Sequence, residues 1–60
     1  MSRLTNKQMI FANEYLVDLN ATRAYKKAYP NVKKDSVASV NGNRLLRNAK
    51  VKNYIEYNVE

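Results

Sequence analysis

Only one glycine and one proline interrupt the sixty residues of this chain. Because an all-β domain needs turn residues between its many strands, such a composition excludes that class of fold. With 27% charged residues, the chain also lacks the character of a membrane-spanning or fully buried peptide. A chain this short buries only about 60% of its unfolded surface. The composition therefore predicts one small all-α domain over residues 1–60.

Histidine and cysteine are both absent. Their absence excludes zinc sites built from these residues, thiol or imidazole catalysis, and disulfide bonds. Glu14 and Asp18 are the one pair of carboxylates spaced four residues apart on a helix, but on a solvated face they lack the further ligands or the shielded pocket that catalysis needs. We therefore expect no enzyme activity, no metal ion and no cofactor.

Capping residues and apolar periodicity predict four short helices. Their expected ranges are residues 6–18, 21–29, 36 to about 47, and 49 to about 58. Each range follows a residue that can cap a helix N-terminus: Thr5, Asn20, Asp35 and Asn48. Thr5 and Gln8 have the spacing of a capping box. Pro30 ends the second helix, since the residue before a proline is pushed out of the α region.

One apolar face on each helix predicts the core. The expected core residues are Phe11, Ala12, Tyr15, Leu16 and Leu19; Ala21, Ala24, Tyr25 and Ala28; Val37, Ala38, Val40 and Leu45; and Val51, Tyr54, Ile55 and Val59. Gly42 lies in the middle of the third helix, where glycine costs about 1 kcal/mol relative to alanine. We therefore expect either that another element passes close to Gly42 or that the helix is weak there.

The basic residues are concentrated in the middle of the chain. The formal net charge is +6, and residues 22–52 contain nine lysines and arginines against one acid, Asp35. Both ends are balanced or acidic. A segment of this kind is typical of proteins that bind the phosphates of nucleic acid. The first residues show no apolar run or cleavage site of a signal peptide, so we expect a cytosolic protein.

The third predicted helix combines residue types that can recognise bases. Asparagine can pair bidentately with adenine, arginine with guanine, and serine with either base or with phosphate. Four such residues are predicted to line its outer side at spacings of three and four: Ser36, Ser39, Asn43 and Arg47. The candidates for phosphate contacts are Arg23, Lys26, Lys27, Lys33, Lys34, Lys50 and Lys52. Helices two and three together predict a helix-turn-helix that binds duplex DNA in the major groove.

Other functions are compatible with the same residues. A transcriptional regulator can use the same helix-turn-helix fold. A protein-interaction module is the alternative from a different class, with a partner bound by the stripe of Ile10 and Val17 and by the fourth helix, and with the charge serving solubility. A basic peptide at a membrane is disfavoured, because the apolar faces are needed for a mutual core.

Two blocks of the sequence resemble a known family. Residues 19–22 read LNAT and are followed by spaced alanines and tyrosines, and residues 44–51 read RLLRNAKV. Together with the opening segment from Leu4 to Leu19, these blocks resemble the N-terminal DNA-binding domain of the small terminase subunits of tailed bacteriophages. The resemblance extends from Leu4 to about Glu56. The segment between helices two and three is longer and more basic than the glycine-containing turn of the family, and Ala49 stands where a proline is frequent.

The resemblance implies a role in packaging viral DNA. A small terminase subunit recognises the packaging-initiation site on double-stranded viral DNA and directs the large subunit, which supplies ATPase and nuclease activities, to that site. The resemblance also implies self-association and large-subunit binding through regions that follow the DNA-binding domain, so we expect these sixty residues to be the N-terminal part of a longer chain. The expected location is the cytoplasm of the bacterial host.

Overall fold

The computed structural model describes residues 4–58, and these residues form four α-helices and no strand. The helices are α1 (Asn6–Asp18), α2 (Ala21–Ala28), α3 (Asp35–Arg47) and α4 (Ala49–Asn58). Helix α2 packs against both α1 and α3, and α4 packs against α1 and α3. The predicted all-α fold is confirmed, and each helix boundary lies within one residue of the predicted one.

Side-chain caps position three of the four helix starts. At α1, the Gln8 N–H donates to Thr5 Oγ1 (3.1 Å) and the Thr5 N–H donates to Gln8 Oε1 (3.0 Å), which is the predicted capping box. Asn20 Oδ1 accepts from the Arg23 N–H at the start of α2. Asn48 Oδ1 accepts from the Lys50 N–H (2.9 Å) at the start of α4. These caps satisfy N–H groups that have no partner within their helices.

The predicted cap of α3 is wrong. The helix begins at Asp35 itself, Lys34 occupies the capping position, and no side chain caps the N-terminus. The Asp35 carboxylate instead accepts a hydrogen bond from Lys26 Nζ at 2.6 Å. The ammonium group of Lys26 on α2 thus binds the carboxylate that was predicted to cap the N-terminus of α3.

The connector, residues 29–34, joins α2 to α3 through a turn. The backbone of Tyr29 (φ −126°, ψ 77°) lies outside the α region, as expected of a residue before a proline. The Val32 N–H donates to the Tyr29 carbonyl oxygen at 3.0 Å, which closes a four-residue turn with Pro30 at its second position. The remaining residues of the connector continue without regular structure to the start of α3.

The core consists of residues from all four helices. Phe11 and Val51 are the largest fully buried side chains, and small residues of α1 and α2 complete the cluster: Ala12, Ala24 and Ala28. Tyr25 packs edge-on against Phe11 and stacks on Tyr29, with ring centroids 4.3 Å apart in the stacked pair. Burial raises the pKa of the Tyr29 hydroxyl.

Tyr54 connects α4 to α1 by donating its hydroxyl proton to Asn13 Oδ1 at 2.8 Å. Tyr15, Tyr25 and Tyr54 therefore belong to the core or its margin, as predicted, whereas Tyr57 is exposed.

Three other residues predicted for the core are exposed, and a fourth, Leu16, is half-buried outside the core cluster. Leu19 is 65% exposed. It ends α1 in the left-handed conformation at φ 57°, which turns its side chain away from the apolar face of that helix. The other two residues, Val37 and Val40, belong to α3. Val59, also predicted for the core, lies outside the described residues.

The face of α3 that contacts α2 is made of its smallest residues. Ala38 and Gly42 are buried, four residues apart, and Leu45 and Leu46 are partly buried against the core. A Cβ atom at Gly42 would lie 2.8 Å from the Ala21 carbonyl oxygen. The predicted close approach at Gly42 is therefore confirmed, and the element that passes it is the first turn of α2. Val37 and Val40 point away from this contact and are exposed, which corrects their predicted inward position.

Candidate nucleic-acid interface

Arg23 on α2 is held by two carboxylates of α1. Its Nε donates to Asp18 Oδ2 at 2.7 Å and its Nη1 donates to Glu14 Oε1 at 2.9 Å. Its Nη2 also donates to the Glu14 carbonyl oxygen at 2.8 Å. The hydrogen bond from Arg23 holds the pKa of Asp18 below its ordinary value, and the two carboxylates raise the pKa of Arg23. The pair of acids noted in the sequence thus serves as the partner of one arginine.

Lys26 is the second basic residue of α2 with an acidic partner. Its hydrogen bond to Asp35 spans the connector and ties α2 to the first residue of α3. This contact also neutralises Asp35, the only acid within residues 22–52. The sequence suggested that both Arg23 and Lys26 contact phosphates, and the structure places both in ion pairs with carboxylates of the domain itself, at its surface.

The other basic side chains of this region have no carboxylate partner among residues 4–58, where the ion pairs involve only Arg23 and Lys26. They are exposed and lie at the end of α2, in the connector and on α3: Lys27, Lys33, Lys34, Arg44 and Arg47. Their positive charge is directed to solvent. Because no carboxylate of residues 4–58 pairs with these side chains, the group can attract an anion with its full charge.

The outer face of α3 lies opposite the buried pair Ala38 and Gly42. Three of the four predicted base-reading residues, Ser36, Asn43 and Arg47, are exposed there. Ser39 is half-buried instead, and it lines a depression between the first turns of α2 and α3 together with Thr22 and Asn20. Ser39 therefore lies at the side of α3 rather than at the centre of its outer face.

Sequence reasoning missed three exposed residues of α3: Val37, Val40 and Arg44. The periodic apolar pattern assigned the valines to the core. The signal that places them outside is the spacing of Ala38 and Gly42, because two small residues four apart mark the side on which another backbone approaches. Because the side with Ala38 and Gly42 faces inward, Val40 lies on the outer face, at a position along the helix between Ser36 and Asn43.

Lys50 and Lys52 are exposed on α4. Lys50 lies beside a groove between the start of α1 and α4, whose other lining residues are Leu4, Asn6, Met9, Asn53, Tyr54 and Tyr57. No residue of α3 lines this groove. Lys50 thus belongs to a part of the surface that includes no residue of α3.

Across residues 4–58, no helix has both the length and the apolar character required to cross a membrane. In the same range, acidic side chains do not gather into a group of three that would hold a metal ion.

Comparison with protein families gives one match. A family model described as "Terminase small subunit" matches residues 4–60, nearly the whole chain. Neither the curated proteins nor the solved structures yielded a match. The family model covers the same segment in which LNAT and RLLRNAKV were noted, and it includes all four helices.

Proposed function

The chain belongs to the terminase small subunit family, which has a role in packaging phage genomes, and on this premise we propose that it binds double-stranded DNA through the outer face of α3. Under this proposal α2 and α3 form a helix-turn-helix with a six-residue connector, and α3 is the recognition helix. The observation that supports it best is the separation of charges in the structure. The acids of residues 4–47 are bound to Arg23 and Lys26, while the basic side chains of the connector and of α3 remain exposed.

Base recognition is assigned to the exposed polar residues of α3. Asn43 and Arg47 lie four residues apart on one face of the helix, so both reach the same groove. Their side chains match the donor and acceptor patterns of adenine and guanine, and Ser36 adds a short hydroxyl near the helix start. Ser39 is assigned a minor part because it is half-buried at the side of the helix.

Phosphate binding is assigned to the cations that surround this face. Lys33 and Lys34 precede the first turn of α3, where the backbone N–H groups also favour an anion. Arg44 flanks the opposite edge of the outer face, and Lys27 lies at the end of α2. Arg23 and Lys26 contribute less, because each already binds a carboxylate. Lys50 and Lys52, both exposed on α4, are assigned contacts with flanking phosphates.

The family supplies the larger setting of the proposal. In the full-length protein, this domain recognises the packaging-initiation site on viral DNA and directs the large ATPase and nuclease subunit to it. Self-association and binding of the large subunit use regions beyond these sixty residues. The work takes place in the cytoplasm of the host bacterium.

A salt titration of DNA binding tests the proposal. If about five cations neutralise phosphates, the logarithm of affinity falls against the logarithm of salt concentration with a slope of roughly −4 to −5. The measurement uses fluorescence anisotropy with a labelled duplex from the packaging region and an unrelated duplex of equal length. A slope near zero, or no binding, contradicts DNA binding and favours a protein-interaction role.

Matched substitutions then separate the two kinds of contact. Asn43→Ala and Arg47→Ala weaken the preferred duplex more than the unrelated one, by about 1–3 kcal/mol for each lost bidentate contact. Lys33→Ala weakens both duplexes equally, because a phosphate contact carries no sequence information. Circular dichroism confirms that each variant is folded. Equal losses on both duplexes for the Asn43 and Arg47 variants contradict the assignment of α3 as the reader.

A further inference from the structure

Two exposed valines lie on the outer face of α3, where a surface helix normally presents polar side chains. Val40 is 60% exposed and Val37 is 43% exposed. Together with Ser36 and Asn41 they line a shallow depression. Ala38 and Gly42 are the fully buried residues of the same helix, and Leu45 and Leu46 pack against the core towards its C-terminal end. Neither Val37 nor Val40 takes part in this packing, so the core of the domain does not account for the valines.

The surroundings of the two valines indicate what they contact. Asn43, Arg44 and Arg47 are exposed on the same side of the helix, and Asp35, the single acid of α3, is bound to Lys26. A second copy of α3 on this face would bring arginines against arginines, and like charges at a contact oppose association. A polyanion complements the positive charge of this face. A ligand that fits the whole face therefore carries negative charge where it meets the arginines and an apolar group where it meets the valines.

Duplex DNA offers this combination at thymine. The 5-methyl group of thymine projects into the major groove, between the two phosphate backbones. Valine has no donor or acceptor in its side chain, so it distinguishes bases only by apolar contact. Its branched Cβ leaves it little rotamer freedom to lose on binding. We propose that Val40, flanked by Val37, contacts thymine methyl groups and gives α3 a preference for thymine-containing sites. This inference rests on the proposed function and specifies how the face discriminates between bases.

Two alternating copolymer duplexes test the inference without knowledge of the natural site. Poly(dA-dT) and poly(dA-dU) present the same hydrogen-bonding groups and differ in the 5-methyl group. The wild-type chain binds the thymine copolymer about fourfold more tightly for each methyl group that the valines cover, since one buried methyl-sized group corresponds to a factor near four. Val40→Ala reduces this preference towards equal binding, and its affinity for the uracil copolymer stays nearly unchanged.

Val17→Ala is the matched control. Val17 is 74% exposed on α1, outside the outer face of α3, so its truncation leaves the thymine preference intact. Equal binding of the wild-type chain to both copolymers, with a steep salt dependence retained, overturns the methyl contact and leaves the proposed function standing. A full thymine preference in folded Val40→Ala also overturns it. Absence of salt-dependent binding to either copolymer overturns the proposed function as well.

Discussion

The α1–α2 pair and the segment from the connector through α3 use similar charged residues for different purposes. In the α1–α2 pair, the guanidinium of Arg23 makes hydrogen bonds to two carboxylates and to a backbone carbonyl. In the connector and α3, the basic side chains are exposed and have no ion pair among residues 4–58. The first region uses charge to hold helices together, and the second presents charge to solvent.

This difference teaches that a count of basic residues overestimates a binding surface. Nine lysines and arginines lie in residues 22–52, but position in the fold divides them. Arg23 and Lys26 connect helices, whereas Lys33, Arg44 and Arg47 are available to a ligand. Exposed ion pairs contribute little stability one by one, but several shared hydrogen bonds on one guanidinium fix a geometry. Four substitutions test the comparison of the two regions, from the largest expected effect to the smallest.

The largest expected effect comes from Gly42→Ala, because both regions meet at this residue. The new Cβ would lie 2.8 Å from a backbone oxygen of Ala21, which cannot move aside as a flexible side chain can. Overpacking of this kind costs about 1–3 kcal/mol, partly offset by the higher helix propensity of alanine. We expect a net loss of about 1–2 kcal/mol in the free energy of unfolding, measured by urea denaturation.

Asn43→Ala provides the control for Gly42→Ala. It makes a similar gain in helix propensity at the neighbouring, exposed position. Its stability should equal or slightly exceed that of the wild type. If Gly42→Ala is as stable as this control, then α2 does not press against α3 at Gly42, and the orientation of the outer face has to be revised.

Arg23→Met tests the region that uses charge for cohesion. Methionine keeps the length and the helix propensity of the side chain but leaves Glu14 and Asp18 without their partner. We expect a lower melting temperature than that of the wild type, and a smaller gap in 1 M NaCl, because salt screens exposed charges. Lys27→Met on the same helix is the control, and its melting temperature should not change. Equal melting of the two variants would show that the ion pairs do not stabilise the domain.

Lys33→Gln tests the region that presents charge to solvent. Lys33 is exposed in the connector, so its replacement changes the free energy of unfolding by less than about 0.5 kcal/mol. The substitution should nevertheless make the slope of log affinity for DNA against log salt concentration less steep by about one unit. Lys26→Gln, in which the replaced lysine already binds Asp35, should reduce it less. Equal changes of the slope in the two variants would contradict the different roles assigned to paired and unpaired lysines.

The smallest effect is a pH dependence due to Asp18. Its pKa in the folded protein lies below the ordinary value of 3.8, because Arg23 donates a hydrogen bond to its carboxylate. A lowered folded-state pKa contributes stability above the unfolded value, and this stability is lost as the pH falls through the folded value. Asp18→Asn should therefore have a lower melting temperature than the wild type at neutral pH. This difference in melting temperature should shrink as the pH falls below about 3.8. Glu56→Gln is the control at neutral pH, where it removes an exposed carboxylate without an ion pair among residues 4–58 and should leave the melting temperature unchanged.

The sequence predicted helix boundaries and caps well because these depend on near neighbours. Thr5, Asn20 and Asn48 act within three residues of their own positions, so local chemistry determines the result. Asp35 failed as a predicted cap because its partner, Lys26, is nine residues away along the chain. A long-range ion pair competes with a local one in a way that spacing alone does not show.

The candidate site was harder to predict than the helices. Ser36, Asn43 and Arg47 were placed on the exposed side of α3, but Val37 and Val40 were assigned to the core by their hydrophobicity. A helix wheel gives relative angles and leaves the direction of the core open. Gly42 determines that direction, because the approach of Ala21 requires a residue without a Cβ atom. Small residues were more informative about orientation than large apolar ones.

The connector has a consequence for how the molecule can be altered. The two helices that it joins are held together independently of it, by the contact of Gly42 with Ala21 and by the ion pair of Lys26 with Asp35. The connector itself is closed by one turn around Pro30, and lengthening such a loop costs little, about 0.6 kcal/mol for a doubling. Insertions there can change the reach and charge of the loop while the angle between α2 and α3 is preserved. Helix geometry and loop reach are therefore separately adjustable properties of this domain.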